Sequence, residues 1–126
     1  MHVLDSSVLI AVLRDETDIE ALLPHFSDAV MSALNHSEVL QKFAQLGGSV
    51  DLAEALIGGL AVQVVPFDRE LSKSAAALWE QTHACGLSLA DRACLALAQA
   101  TGGVAVTADR AWAKVDLPGL TVKIVR

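Results

Sequence analysis

Short apolar runs alternate along this chain with longer stretches in which apolar residues recur every three or four positions. His2-Val3-Leu4-Asp5 reads as a short buried strand, and Ser6-Ser7 opens an apolar helix through Val8, Leu9, Ile10, Val12 and Leu13. A short helix is expected from Ile19 to Leu23, ahead of Pro24, and a second strand at Asp28-Ala29-Val30-Met31. Val39, Leu40, Phe43 and Leu46 share one face of a helix over about 34–46, which Gly47-Gly48 ends. Ser49 caps the next helix, with Leu52, Leu56, Ile57 and Leu60 at its apolar positions and Gly58-Gly59 weakening its end. Val62-Gln63-Val64-Val65 is a third strand, stopped by Pro66. One long helix is expected over about 68–84, carrying Leu71, Ala75, Leu78 and Trp79 and terminated by Gly86. The alanine-rich stretch 88–101 has few charges and reads as a buried helix. A fourth strand at Val104-Ala105-Val106, a short helix with Trp112 and a fifth strand over 120–125 complete the plan. Trp79 and Trp112 both fall at apolar positions and read as core or interface.

Short apolar strands separated by helices imply a parallel sheet covered on both faces. The fold class is therefore α/β, a three-layer α/β/α arrangement in one domain over 1–126. No linker, repeat or low-complexity tract divides the chain. In such sheets ligands bind beyond the carboxyl ends of the strands.

Asp5 lies at that end of the first strand, and Asp109 lies just past the fourth, in Val106-Thr107-Ala108-Asp109. Asp91 falls in the first turn of the alanine-rich helix, in Ser88-Leu89-Ala90-Asp91. Glu38 falls in the first turns of the helix after the second strand. Helices that follow parallel strands start where those strands finish, so all four carboxylates converge on one cleft. Each acid alone has a structural explanation: Asp5 as a helix cap, Ser88-x-x-Asp91 and Asn35-x-x-Glu38 as capping boxes, Glu38 paired with Lys42, Asp109 at a helix N-terminus. Together they conflict. Two carboxylates 4 Å apart repel by about 1 kcal/mol in water and about 4 kcal/mol at an effective dielectric of 20, against about 1 kcal/mol from a cap. Such a cluster calls for cations or raised pKa values. Oxygen-only donors suit Mg²⁺ or Mn²⁺, which activate water against phosphodiesters.

Charge and composition narrow this picture. The 126 residues carry a formal net charge of -6, so either nucleic acid is not the partner, or it is met through a local site and bound cations, or another chain supplies the positive charge. Aromatic residues make up 4%, too few for a stacking platform. Cys85 and Cys94 form no CxxC pair and read as buried thiols. No secretory signal or membrane-length apolar run appears, and the expected location is the cytoplasm.

The ordered set Val3-Leu4-Asp5-Ser6-Ser7, Ser32-x5-Glu38, Leu87-Ser88-Leu89-Ala90-Asp91 and Thr107-x-Asp109 resembles the PIN domain family, closest to VapC-type toxins of toxin–antitoxin pairs. The resemblance runs over nearly the whole chain. It implies a metal-dependent endoribonuclease with strand order 3-2-1-4-5. It implies that Asp5, Asp91 and Asp109 hold Mg²⁺ or Mn²⁺, that Glu38 completes the site, and that Ser6 or Thr107 orients an acid or touches phosphate. An RNA substrate, a second copy of the chain and a small cognate antitoxin are the implied partners.

Two other readings stand beside it: a phosphoacceptor receiver-like domain, with Asp68 as its only candidate acceptor, and a non-catalytic PIN-like binding module. Arg92 and Arg110 each follow an acid directly and should point away from it, and Arg14 is expected to pair with Asp18. His36 lies two residues before Glu38, on nearly the opposite helix face, and is no ligand.

Overall fold

The computed structural model describes residues 1–125; Arg126 lies outside the described residues. Strands β1 (His2–Leu4), β2 (Ala29–Ser32), β3 (Gln63–Val65), β4 (Val104–Thr107) and β5 (Thr121–Ile124) form one sheet in the order β3-β2-β1-β4-β5. Every pairing is parallel, with Val3 opposite both Val30 and Ala105. This order differs from the 2-1-3-4-5 order of receiver-type sheets and removes the receiver reading. Asp68 simply caps a helix, accepting from the Leu71 N–H at 2.9 Å.

The helices are α1 (Ser6–Leu13), α2 (Ile19–Phe26), α3 (Ala33–Gln45), α4 (Val50–Gly59), α5 (Arg69–Ala77), α6 (Trp79–Thr82) and α7 (Leu89–Thr101). Two 3-10 turns cover His83–Cys85 and Arg110–Lys114. Successive strand residues point to opposite faces, and each face buries its own core. Val3, Val30 and Ala105 pack with Leu95, Leu97 and Trp112 on one side. Leu4, Met31 and Val106 pack with Val8, Leu9 and Val39 on the other. That two-sided burial is why the central strands are uninterrupted apolar runs. Among the described residues no helix is long and apolar enough to cross a membrane.

Several expectations change. Asp28 adopts φ 51 in a turn, so β2 begins at Ala29 rather than Asp28, and it runs on through Ser32. Pro24 lies inside α2. Pro24 has no N–H to donate to the Glu20 carbonyl one turn back, and both residues are exposed. The long helix expected over 68–84 breaks at Leu78 into α5, α6 and a 3-10 turn, before Gly86 closes it at φ 74. Trp79 is thereby left 53% exposed, stacked on His83 at 4.2 Å between ring centroids, whereas Trp112 is buried. Leu46, Leu52 and Leu56 are exposed, so the apolar faces of α3 and α4 are only partly used by the core. Arg14 pairs with Glu16 at 3.0 Å instead of Asp18, whose carboxylate is taken by the cap of α2. Cys94 is buried as expected, and Cys85 is half-buried.

Candidate active site

β1 ends one residue before Asp5, and α1 begins one residue after it. Asp5 occupies the N-cap position of α1, yet its side chain makes no cap bond. It is 2% exposed and turns instead into a network of side chains from three other segments. Ser7 donates to Asp5 Oδ2 at 2.6 Å, and Thr107 donates to the same oxygen at 3.0 Å. Asn35 Nδ2 approaches Asp5 Oδ1 at 3.4 Å. Ser7 Oγ in turn accepts from the Ala108 N–H at 2.9 Å, and Thr107 Oγ1 accepts from the Asp109 N–H at 3.0 Å. The two hydroxyls thus tie the end of β1 to the loop after β4.

Glu38 lies two turns into α3, half-buried. Ser6 Oγ donates to Glu38 Oε1 at 2.8 Å, and Asn35 Nδ2 stands 3.5 Å from that oxygen. Lys42 is not its partner. The cap of α3 is Ser32, which accepts from the Leu34 N–H at 3.3 Å, so Asn35 is released from any capping role.

Asp91 realises its structural reading. It closes a full capping box with Ser88: the Ser88 N–H donates to Asp91 Oδ2 at 2.8 Å, and the Asp91 N–H donates to Ser88 Oγ at 3.2 Å. Asp109 also caps, with Oδ1 accepting from the Ala111 N–H at 2.9 Å. Each of these carboxylates therefore spends one oxygen on a local bond. Arg92 reaches back to donate to the Leu87 carbonyl at 2.9 Å. His36 pairs with Glu54 on α4, away from the acids. Arg110 lines an open cleft of about 510 Å³ together with Ser7, Ala108 and Asp109.

The acids form an electrostatic chain rather than four isolated charges. Burial pushes the Asp5 carboxyl from 3.8 up to about 7; the Ser7 and Thr107 hydrogen bonds oppose that rise, while the Asp91 and Glu38 charges add to it. Burial also raises Asp91; the Ser88 bonds oppose that, Asp109 adds to it and Arg92 offsets it. Glu38, Asp5, Asp91 and Asp109 are thus coupled in that order. Among the described residues no three His, Cys, Asp or Glu side chains are gathered closely enough to grip one ion. The donor chemistry nevertheless fits a hard divalent cation: every acid offers oxygen, and the buried Asp5 carries a charge that a cation would stabilise.

Ser7 and Asn35 were not identifiable as site residues from the sequence. The only signal for Ser7 is its place in the serine doublet after Asp5, and for Asn35 its place three residues before Glu38.

The fold matches known proteins. DNA-bound VapBC from Salmonella typhimurium superposes with a TM-score of 0.74 at 17% identity, covering 99% of this chain and 98% of that one. VapBC2 from Rickettsia felis bound to a promoter DNA fragment gives 0.72 at 12% identity, covering 98% and 97%. FitAcB from Neisseria gonorrhoeae gives 0.70 at 19% identity, covering 99% and 98%. No curated protein sequence matches the chain. The PIN domain family model matches residues 2–117, in which all four acids and both hydroxyls of the network lie, and the chain belongs to the PIN domain family.

Proposed function

We propose that this PIN domain is a metal-dependent endoribonuclease, acting as the toxin of a toxin–antitoxin pair. The observation that carries the reading is the buried Asp5, held by Ser7, Thr107 and Asn35 and coupled through space to Glu38 and Asp91. A fold does not keep a carboxylate 2% exposed beside other acids for stability alone, because its ionised form is costly there. The solved structures of toxin–antitoxin proteins with the same fold support the toxin role.

In this reading Asp5, Asp91 and Asp109 hold Mg²⁺ or Mn²⁺, and Glu38 completes the set. A divalent ion so bound supplies Lewis-acid polarisation of a phosphodiester and a water acidic enough to attack it near neutral pH. The chain's own residues do the rest. Ser6 fixes the Glu38 carboxylate, Thr107 fixes Asp5 while accepting the Asp109 N–H, and the two caps give Asp91 and Asp109 defined starting positions. The positive Arg110 borders the cleft next to Asp109, where an RNA phosphate would enter an otherwise acidic surface. The partners are RNA, a second copy of the chain and an antitoxin, in the cytoplasm.

Incubation with total RNA tests the nuclease. Cleavage is expected with Mn²⁺ and absent in EDTA. Asp91→Asn is expected to keep the fold, since an amide oxygen still accepts the Ser88 N–H, and to lose cleavage by at least about tenfold. Equal cleavage by that variant and the wild type would remove Asp91 from the site, and a wild type that cleaves no RNA with Mn²⁺ would reject the nuclease in favour of a non-catalytic binding module. Mn²⁺ is also expected to raise the melting temperature of the wild type, because it binds the native state alone. A melting curve unmoved at saturating Mn²⁺ argues against an open metal site.

A further inference from the structure

We infer that Asn35 is a positioning residue of the acidic site: one neutral amide holds the Asp5 and Glu38 carboxylates in a fixed relation to the first turn of α7. This rests on the metal-site reading above and extends it to a residue outside the acidic quartet.

Asn35 is 0% exposed, among the largest fully buried side chains of the protein. A buried amide in an apolar layer is costly unless bonded, so its partners are informative. Its Nδ2 has two protons and three acceptors in reach. The Ala90 carbonyl, at 3.1 Å, takes one. The other lies between Asp5 Oδ1 at 3.4 Å and Glu38 Oε1 at 3.5 Å. All three partners are acceptors, which fixes the amide with nitrogen toward them.

These partners come from three separate segments: Asp5 follows β1, Glu38 shares α3 with Asn35, and Ala90 precedes Asp91 in α7. A single N–H shared by two carboxylates places partial positive charge where two like charges would otherwise repel. The bond to Ala90 sets the distance from that pair to the residue beside Asp91. A strut with no role at the site would need only the Ala90 bond.

A second feature separates Asn35 from an ordinary buried asparagine. Its Oδ1 is buried with no hydrogen-bond partner. Nδ2 already serves acceptors, so exchanging the two amide atoms would leave carboxylates and a carbonyl facing an oxygen. The orientation is imposed by the acids, and the unsatisfied Oδ1 is the cost that the protein bears for it. An apolar side chain of similar volume would leave Asp5 Oδ1, Glu38 Oε1 and the Ala90 carbonyl without this donor. The amide therefore acts on the placement of Asp5 and Glu38 as well as on the packing of α3 against α7.

The test uses the full-length protein and Mn²⁺ alone, read by calorimetry and by the signal of free Mn²⁺ in electron paramagnetic resonance. Asn35→Ala is expected to weaken Mn²⁺ binding about 10- to 100-fold, the usual effect of removing a group that orients a metal ligand. Asn35→Ser, which keeps a small donor, should recover part of that loss. Asn35→Leu, similar in volume, guards against a cavity effect and should bind Mn²⁺ as poorly as Asn35→Ala, even where it melts as high as the wild type. In a cycle with Glu38→Gln the two losses should fall short of additive, since both act on one carboxylate. If Asn35→Ala and Asn35→Leu melt lower but bind Mn²⁺ with the wild-type Kd, Asn35 is a strut and the inference is wrong. If the wild type itself binds no Mn²⁺, the nuclease reading fails first. The positioning role is then decided by unfolding stability in the same cycle: coupling between Asn35 and Glu38 upholds it, and strict additivity overturns it.

Discussion

Asp5→Asn is expected to make the metal-free protein more stable at pH 8 and to abolish its proposed activity. The two effects have one cause. Burial raises the Asp5 carboxyl from 3.8 to about 7, so the folded protein binds that proton more tightly than the unfolded chain does. A raised carboxyl contributes stability that is fully present below about pH 4 and is lost as the pH climbs through about 7. At 1.36 kcal/mol for each pH unit between the two values, the ionised wild type forfeits about 4 kcal/mol at pH 8. The asparagine amide stands where the protonated acid stands. It has an oxygen for the Ser7 and Thr107 hydroxyls and no charge to desolvate, and the loss of the long Asn35 bond, whose donor would then face the new amide nitrogen, offsets only part of that gain. In EDTA, urea unfolding should show wild-type stability falling between pH 5 and pH 8 while the variant changes much less. With Mn²⁺ present the order should reverse at pH 8, because the cation stabilises the carboxylate that the variant lacks. Cleavage should drop by more than about 100-fold, beyond the effect of losing a group that merely orients a ligand. A variant that unfolds more easily than the wild type at pH 8 in EDTA would remove the buried-charge account of this site.

The difference between what the chain announces and what it conceals is physical. Asp5, Asp91 and Asp109 are legible because helix starts and strand ends in a parallel sheet meet at one edge, so chain order alone brings them near each other. The central strands are legible because both of their faces are buried, which leaves an apolar run with no polar alternation. β3 and β5 are edge strands, and their boundaries blur with their exposure. Asn35 and Ser7 are hidden for another reason. Their roles are set by partners 30 and 100 residues away, such as the Asn35–Asp5 and Ser7–Thr107 contacts, while their local surroundings offer an equally good cap or turn reading. The capping box of Asp91 shows that the local and distant roles need not exclude each other: the same carboxylate closes a helix end and couples to Asp5 and Asp109. The two tryptophans make the point most plainly. Both occupy apolar positions in helical periodicity, and only the break at Leu78 turns one of them outward.

Trp112→Ala should therefore be strongly destabilising, and Trp79→Ala close to neutral. Trp112 is 1% exposed and packs among Leu95, Leu97 and Leu117. Removing it costs the transfer energy of a large side chain and leaves a cavity that α7 and the sheet cannot close, about 3–5 kcal/mol. For a domain of this size that lowers the melting temperature by about 10–20 °C. Trp79 loses only its exposed stack on His83, and its removal should stay within about 0.5 kcal/mol. Trp112→Phe tests whether shape or the indole nitrogen matters. The Nε1 of Trp112 is buried with no acceptor, so phenylalanine removes an unpaired donor along with part of the volume, and should cost less than half of what alanine does. The consequence reaches the site. Trp112 lies in the 3-10 turn that starts one residue after Asp109, and its own N–H donates to the Asp109 carbonyl at 3.2 Å. The ring is the anchor of the loop that carries Asp109. At a temperature where Trp112→Ala is still folded, Mn²⁺ affinity should fall with it and should hold in Trp79→Ala. Equal stability of the two alanine variants, or unchanged Mn²⁺ affinity in a folded Trp112→Ala, would show that the loop holds its shape without the core beneath it.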